Sequence, residues 1–249
     1  MIKELRLFFT ALMFYTRIPV PRSTGYSPEN LNKATRYFPL IGAVVGGVGA
    51  LVFWGTDMVL PVKVAVLLSM VTQIMVTGAF HEDAIADFCD GFGGGYTKER
   101  ILSIMKDSRI GTYGAVGLVM ILLTRFFLLS EFNVVFIPVA LVVAHVVSRL
   151  VPVLLIFSSK YVSDFDKSKS KPIGQKSSKV TLIVALLLGL LPLVLVSPVK
   201  IFFITLFLIP LFFYFRYYVH KHIGGYTGDV LGALQQLSEI SVYIALLIA

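Results

Sequence analysis

Cysteine occurs once in this 249-residue chain, at Cys89. That excludes an internal disulfide framework and any metal centre built from several thiolates. Charge is scarce too: Asp, Glu, Lys and Arg make up 14% of the residues, against about a quarter in an ordinary soluble domain. A secretory signal is not expected, because Lys3, Glu4 and Arg6 open the chain and no small-residue cleavage site follows a short apolar core. The formal charge of +8 would suit nucleic acid if it were gathered in one patch. It is not gathered, and no nucleic-acid partner is expected.

What fills the chain instead is hydrocarbon, at 57% of residues. Residues 38–60, 61–80, 112–130, 134–157, 180–197, 199–217 and 227–249 approach or pass the ~18–20 apolar residues that span a bilayer. Strands here would be too few and too continuous to close a barrel, so the spans must be helices. The expected fold is all-α: a polytopic membrane bundle of about seven transmembrane helices, forming one domain over residues 1–249. Residues 5–18 form a shorter apolar stretch, expected to be interfacial or re-entrant.

The cations fall in alternate connections. Lys3, Arg6, Arg17, Arg22, Lys33 and Arg36 precede the first long run. Lys98, Arg100, Lys106 and Arg109 lie in 81–111, Lys160, Lys167, Lys169, Lys171, Lys176 and Lys179 around 158–179, and Arg216 and Lys221 in 216–226. The other connections hold only Lys63 and Lys200. The positive-inside rule places the N-terminus and the long loops in the cytoplasm. The lysines of 158–179 read as a cytoplasmic loop facing lipid headgroups.

Chemistry concentrates in the first long loop, which opens Phe80-His81-Glu82-Asp83-Ala84-Ile85-Ala86-Asp87-Phe88-Cys89-Asp90-Gly91. Asp83, Asp87 and Asp90 stand at i, i+4 and i+7, within a roughly 60° arc of one helix face. Like charges on one stripe repel, and a divalent cation such as Mg²⁺ turns that repulsion into coordination. The plainer alternative is a solvated helix end. Gly91 and Gly93–Gly95 are expected to break the helix and let backbone approach a ligand. Glu82 is a step off the stripe and is expected beside the site or exposed. His81 is a base, a ligand or a neutral helix-end histidine.

The same loop closes with Met105-Lys106-Asp107-Ser108-Arg109-Ile110-Gly111-Thr112. Lys106 and Arg109 suit phosphate oxygens, or else simple interfacial anchoring; Asp107 would complete a cation site. The string Gly-Gly-Tyr-Thr occurs at 94–97 and again at 224–227, each ending a loop before a helical run. Thr97 and Thr227 are therefore expected to be N-caps, and the turns around Gly94, Gly95, Gly224 and Gly225 to offer N–H groups to phosphates. Asp229 either complements a helix dipole or binds cation or substrate. Within the apolar runs, Arg125 has no evident partner. Arg149, with His145 one turn earlier, either snorkels to the cytoplasmic surface or steadies phosphates.

In combination these strings resemble the cobalamin synthase family, the adenosylcobinamide-GDP ribazoletransferases. Four blocks carry the resemblance: Phe14-Tyr15-Thr16-Arg17-Ile18-Pro19-Val20-Pro21, Phe38-Pro39-Leu40-Ile41-Gly42, the stretch from Gly78 to Gly114, and Gly224 to Glu239. Departures are Ala84, where a glycine is common, Gln236, where a glutamate is common, and Glu82, where an apolar residue is common. The resemblance implies a membrane transferase that joins adenosylcobinamide-GDP to α-ribazole or its 5′-phosphate, releases GMP and needs magnesium (Mg²⁺). Asp83, Asp87, Asp90 and Asp107 would then be the catalytic metal ligands, and Lys106, Arg109, Arg149, Gly94, Gly95, Thr227 and Asp229 the substrate contacts. The run Asp87-x-x-Asp90-Gly91 is also similar to CDP-alcohol phosphotransferases, and a cation-coupled transporter is the rival outside enzymes. Homo-oligomerisation is left open.

Seven crossings from a cytoplasmic N-terminus put the C-terminus outside. A C-terminal alkaline phosphatase fusion should therefore be active, and a fusion active only with a cytoplasmic reporter contradicts that count.

Overall fold

The computed structural model describes residues 3–25, 27–162 and 178–248. Among these, eleven α-helices follow one another: α1 Lys3–Tyr15, α2 Pro28–Ala34, α3 Phe38–Asp57, α4 Val62–Thr77, α5 Phe80–Gly94, α6 Lys98–Met105, α7 Thr112–Glu131, α8 Ile137–Ser158, α9 Lys179–Leu190, α10 Pro198–Ile223 and α11 Gly228–Ile248. The expected all-α bundle is borne out, and each of the seven apolar runs is helical. Five helices are long and apolar enough to cross a membrane, or six if α4 and α5, bent by 86°, count as one broken span; Lys179–Leu195 is shorter. Lys167, Lys169, Lys171 and Lys176 lie outside the described residues.

Lipid gives helices no hydrophobic reason to associate, so close packing and polar contacts must hold them. Helix α3 meets α8 through Gly42 and Gly46, spaced as a G-x-x-x-G pair. A methyl at Gly42 would collide with the backbone carbonyl of His145, and one at Gly46 would sit 2.9 Å from the Leu141 carbonyl. Helix α4 returns against α3, where Ser69 Oγ donates to the Gly49 carbonyl at 2.8 Å. Its far end stops at Gly78 (φ 68°) and Ala79 (φ 60°), two successive left-handed residues that turn the chain into α5. Left-handed geometry is natural for glycine and strained for alanine. The segment after α1 buttresses this corner: Arg17 N–H donates to the Val76 carbonyl at 2.7 Å, and the Arg17 side chain fills the space a side chain at Gly78 would need.

Helix α1 packs its buried face, Leu7, Ala11, Leu12 and Tyr15, with α2 and α3. Helices α7 and α11 flank α5, and with α8 and α10 they form the main core, in which Leu141, Ala144, Val242 and Tyr243 are fully enclosed. The surface turned outward is apolar along α7 and α10, as lipid contact requires (Val119, Met120, Phe202, Ile209, Phe213).

Replacing Gly42 by Ala should lower the melting temperature in detergent, reflecting a loss of about 1–3 kcal/mol from overpacking. Gly47→Ala, where an added methyl meets nothing within 4 Å, should leave it unchanged.

Candidate active site

The acidic helix α5 divides its carboxylates between two tasks. Asp90, 8% exposed, spends both oxygens on backbone: Oδ2 accepts from Gly111 N–H at 2.6 Å and Oδ1 from Gly114 N–H at 2.8 Å. Gly111 is the N-cap position of α7 and has no side chain with which to cap. A carboxylate from another helix supplies the missing acceptor and complements the dipole. A side chain at either glycine would collide with Asp90.

At the other end of α5, Glu82 is buried, against the expectation of an exposed or adjacent group. It faces Arg125, with Oε1 3.9 Å from Nη1. This supplies the partner that the sequence withheld from Arg125. The guanidinium also lies 3.2 Å from Glu239 Oε1 through Nε, donates to Gln73 Oε1, and sits 3.2 Å from His145 Nε2. Glu239 Oε2 accepts from Gln235 Nε2 at 2.7 Å and lies 3.5 Å from His145 Nδ1. Arg149 does not snorkel: it is 1% exposed, donates to the His145 carbonyl at 2.9 Å and lies 5.8 Å over the Phe38 ring. His81 also stacks on Phe38, with centroids 5.9 Å apart, and is buried. The structure thus places Arg149 and His81 inside the bundle and not on the wall of the polar cavity described below.

Between the two anchored ends lie Asp83, exposed, and Asp87, half-buried. Among the described residues neither carboxylate has a hydrogen-bond partner. The charged groups acting on Asp87 are all carboxylates: Asp83, Asp229 and Asp90. Asp229, in the first turn of α11, feels Asp83 in turn. Helix α11 brings Asp229 in because Gly232 lets it touch Ala84, where a side chain on residue 232 would collide. Among the described residues no three Asp, Glu, His or Cys side chains form a ready cage for an ion. Magnesium seldom needs one, since it takes one or two carboxylates and completes its shell with phosphate and water. The uncommitted pair Asp83 and Asp87, with Asp229 opposite, fits that mode. Asp90 and Asp107 fit it less well, being already engaged.

Asp107 and Arg109 hold each other, with Arg109 Nη2 donating to Asp107 Oδ2 at 2.7 Å and Nε to Oδ1 at 3.0 Å. The guanidinium pulls the Asp107 carboxyl down to about 2. Both line a polar cavity of about 380 Å³ together with Asp90, Gly94, Arg100 and Thr112. Arg100, one turn into α6, is a cation whose position the sequence reading passed over; its place three residues after the Thr97 cap aims it at the same loop. Lys106 is exposed at the end of α6.

Thr97 and Thr227 are N-caps as expected, accepting from Arg100 N–H and Val230 N–H, each at 3.3 Å. The glycine turns behave otherwise. Helix α5 continues through Gly91 to Gly94, and Gly91 and Gly95 exist for close approach of α6, where side chains would strike Met105 and Ile101. The N–H groups of Gly95, Gly224 and Tyr226 are spent on the carbonyls of Gly91, His220 and Lys160. Of the expected glycine contacts, only Gly94 lines the cavity.

Asp90→Ala orphans two N–H groups and should cost about 1–3 kcal/mol for each buried one. It should read out as a lower melting temperature in detergent, whereas Asp87→Ala, which relieves repulsion, should not lower it.

Known proteins resemble this sequence over nearly its whole length. A protein from Shewanella frigidimarina named adenosylcobinamide-GDP ribazoletransferase is 48% identical over 99% of this chain and 95% of its own length. One of the same name from Vibrio parahaemolyticus is 46% identical over 98% and 92% respectively. No solved structure matches. The profile of the cobalamin-5-phosphate synthase family matches residues 7–247, and the chain belongs to that family.

Proposed function

We propose that this chain is an adenosylcobinamide-GDP ribazoletransferase of the cytoplasmic membrane. In this reading it moves adenosylcobinamide phosphate from adenosylcobinamide-GDP to α-ribazole or its 5′-phosphate and releases GMP. Family membership supports the reaction class. The observation that carries the site is the meeting of Asp83, Asp87 and Asp229, carboxylates with no cation among them, one turn from a cavity walled by Arg100 and Arg109.

Each residue then has a task. Arg100 and Arg109 hold diphosphate oxygens, and Asp107 fixes the Arg109 fork. Asp83 and Asp87, with Asp229 opposite, would hold Mg²⁺, which would supply positive charge against the departing nucleotide phosphate. The ribose hydroxyl attacks the corrinoid-side phosphorus in line, the bridging P–O bond breaks, and GMP leaves with the electron pair. A carboxylate of the trio takes the hydroxyl proton. Asp90 stays on the α7 N-terminus and sets the height of the stripe. The cations of the α5–α7 connection support a cytoplasmic position for this face.

The test is GMP release from adenosylcobinamide-GDP by purified protein. Chelation should abolish it and added Mg²⁺ restore it, and Asp87→Asn should lower kcat by ~10²-fold or more with the fold intact. Full activity of the chelated enzyme or of Asp87→Asn overturns the assignment, and release of CMP from CDP-diacylglycerol instead moves the chain to lipid synthesis.

A further inference from the structure

A second cavity, of about 520 Å³, adjoins the polar one at Tyr113. Its walls are Cys89 and Phe92 of α5, Thr112, Tyr113 and Val116 of α7, and Tyr218 of α10. Phe92 and Tyr218 present their rings together, with centroids 5.4 Å apart and planes tilted by 32°. Tyr113 lies flat on the α5 backbone because residue 93 is glycine; a methyl there would be 2.6 Å from the ring. Three aromatic faces thus surround a space whose polar side-chain groups are the hydroxyls of Thr112, Tyr113 and Tyr218 and the Cys89 thiol. Thr112 and Tyr113 also line the polar cavity that holds Arg100 and Arg109. One ligand can therefore lay a flat apolar ring in one cavity while its sugar reaches the phosphate-facing other.

We infer that this cavity receives the base of the incoming nucleoside. The inference rests on the ribazoletransferase reading. It assigns the Phe92–Tyr113–Tyr218 slot to dimethylbenzimidazole, the base of ribazole, and not to guanine. The corrinoid is too large for the space. Guanine carries more donors and acceptors around its edge than three hydroxyls can pair at once, and those left over would be buried at a cost. Dimethylbenzimidazole exposes one free ring nitrogen, which the Thr112 hydroxyl can satisfy, and its faces suit offset stacking. A flexible acyl chain gains nothing from rings held at fixed tilt. The slot opens toward the lipid-facing side of α7, where Val116 and Met120 are exposed, so an apolar base can enter from the membrane.

Cys89 is the chain's only cysteine, and it reports on this cavity alone. In detergent-solubilised wild-type protein, ribazole should slow maleimide labelling of Cys89 by about tenfold, and GMP should not. Equal protection by GMP, no effect of ribazole, or a thiol closed to the reagent whatever is added overturns the inference. Val116→Trp, which fills the slot, should raise KM for ribazole about tenfold while KM for adenosylcobinamide-GDP stays put; a shift in both or in neither counts against it. Protection without GMP release would sink the reaction and keep the slot. GMP release without protection would do the reverse.

Discussion

The site depends on how helix α5 is fastened at both ends to α7. The Gly78–Ala79 corner disconnects α5 from α4, so helix continuity cannot fix its position. Two carboxylates do that instead. Glu82 faces Arg125 deep in the bundle, and Asp90 caps the first turn of α7. Between them Asp83 and Asp87 are held side by side, facing Asp229, in an arrangement that mutual repulsion would otherwise pull apart.

The deep anchor is expensive to build. Charges buried away from water are stable only when paired and hydrogen-bonded. Two arginines, Arg125 and Arg149, are balanced by two glutamates, Glu82 and Glu239, and Gln73, His145, Gln235 and Tyr243 add hydrogen bonds, while Glu82 Oε2 and the Nε atoms of both arginines make none among the described residues. Losing one partner of such a group leaves the other buried and unpaired, typically a loss of about 3–5 kcal/mol. The cluster joins α4, α5, α7, α8 and α11, so the same interactions that assemble the bundle also set the acidic stripe at its height.

Local features were legible in the chain. Apolar runs gave the helices, a threonine closing each Gly-Gly turn gave the caps, and the i, i+4, i+7 spacing gave the acidic face. Pairings between distant segments were not. Nothing near Arg125 in sequence announces Glu239, and nothing near Asp90 says that a glycine N-cap on another helix needs its oxygens. Glu82 looked incidental because its partner sits one span away. Glycines were misread for the same reason: Gly91, Gly95 and Gly225 make room for α6 and for the Lys160 carbonyl, contacts that no spacing rule encodes.

The central claim is that Asp83, Asp87 and Asp229 share a cation with the substrate phosphate while Asp90 remains a structural cap. It is tested most directly by a structure with Mn²⁺ and a diphosphate analogue bound, read by anomalous scattering. The account predicts an ion peak among those three carboxylates, with Asp90 still on the N–H groups of Gly111 and Gly114. A peak between Asp90 and Asp107, or none near α5, contradicts it.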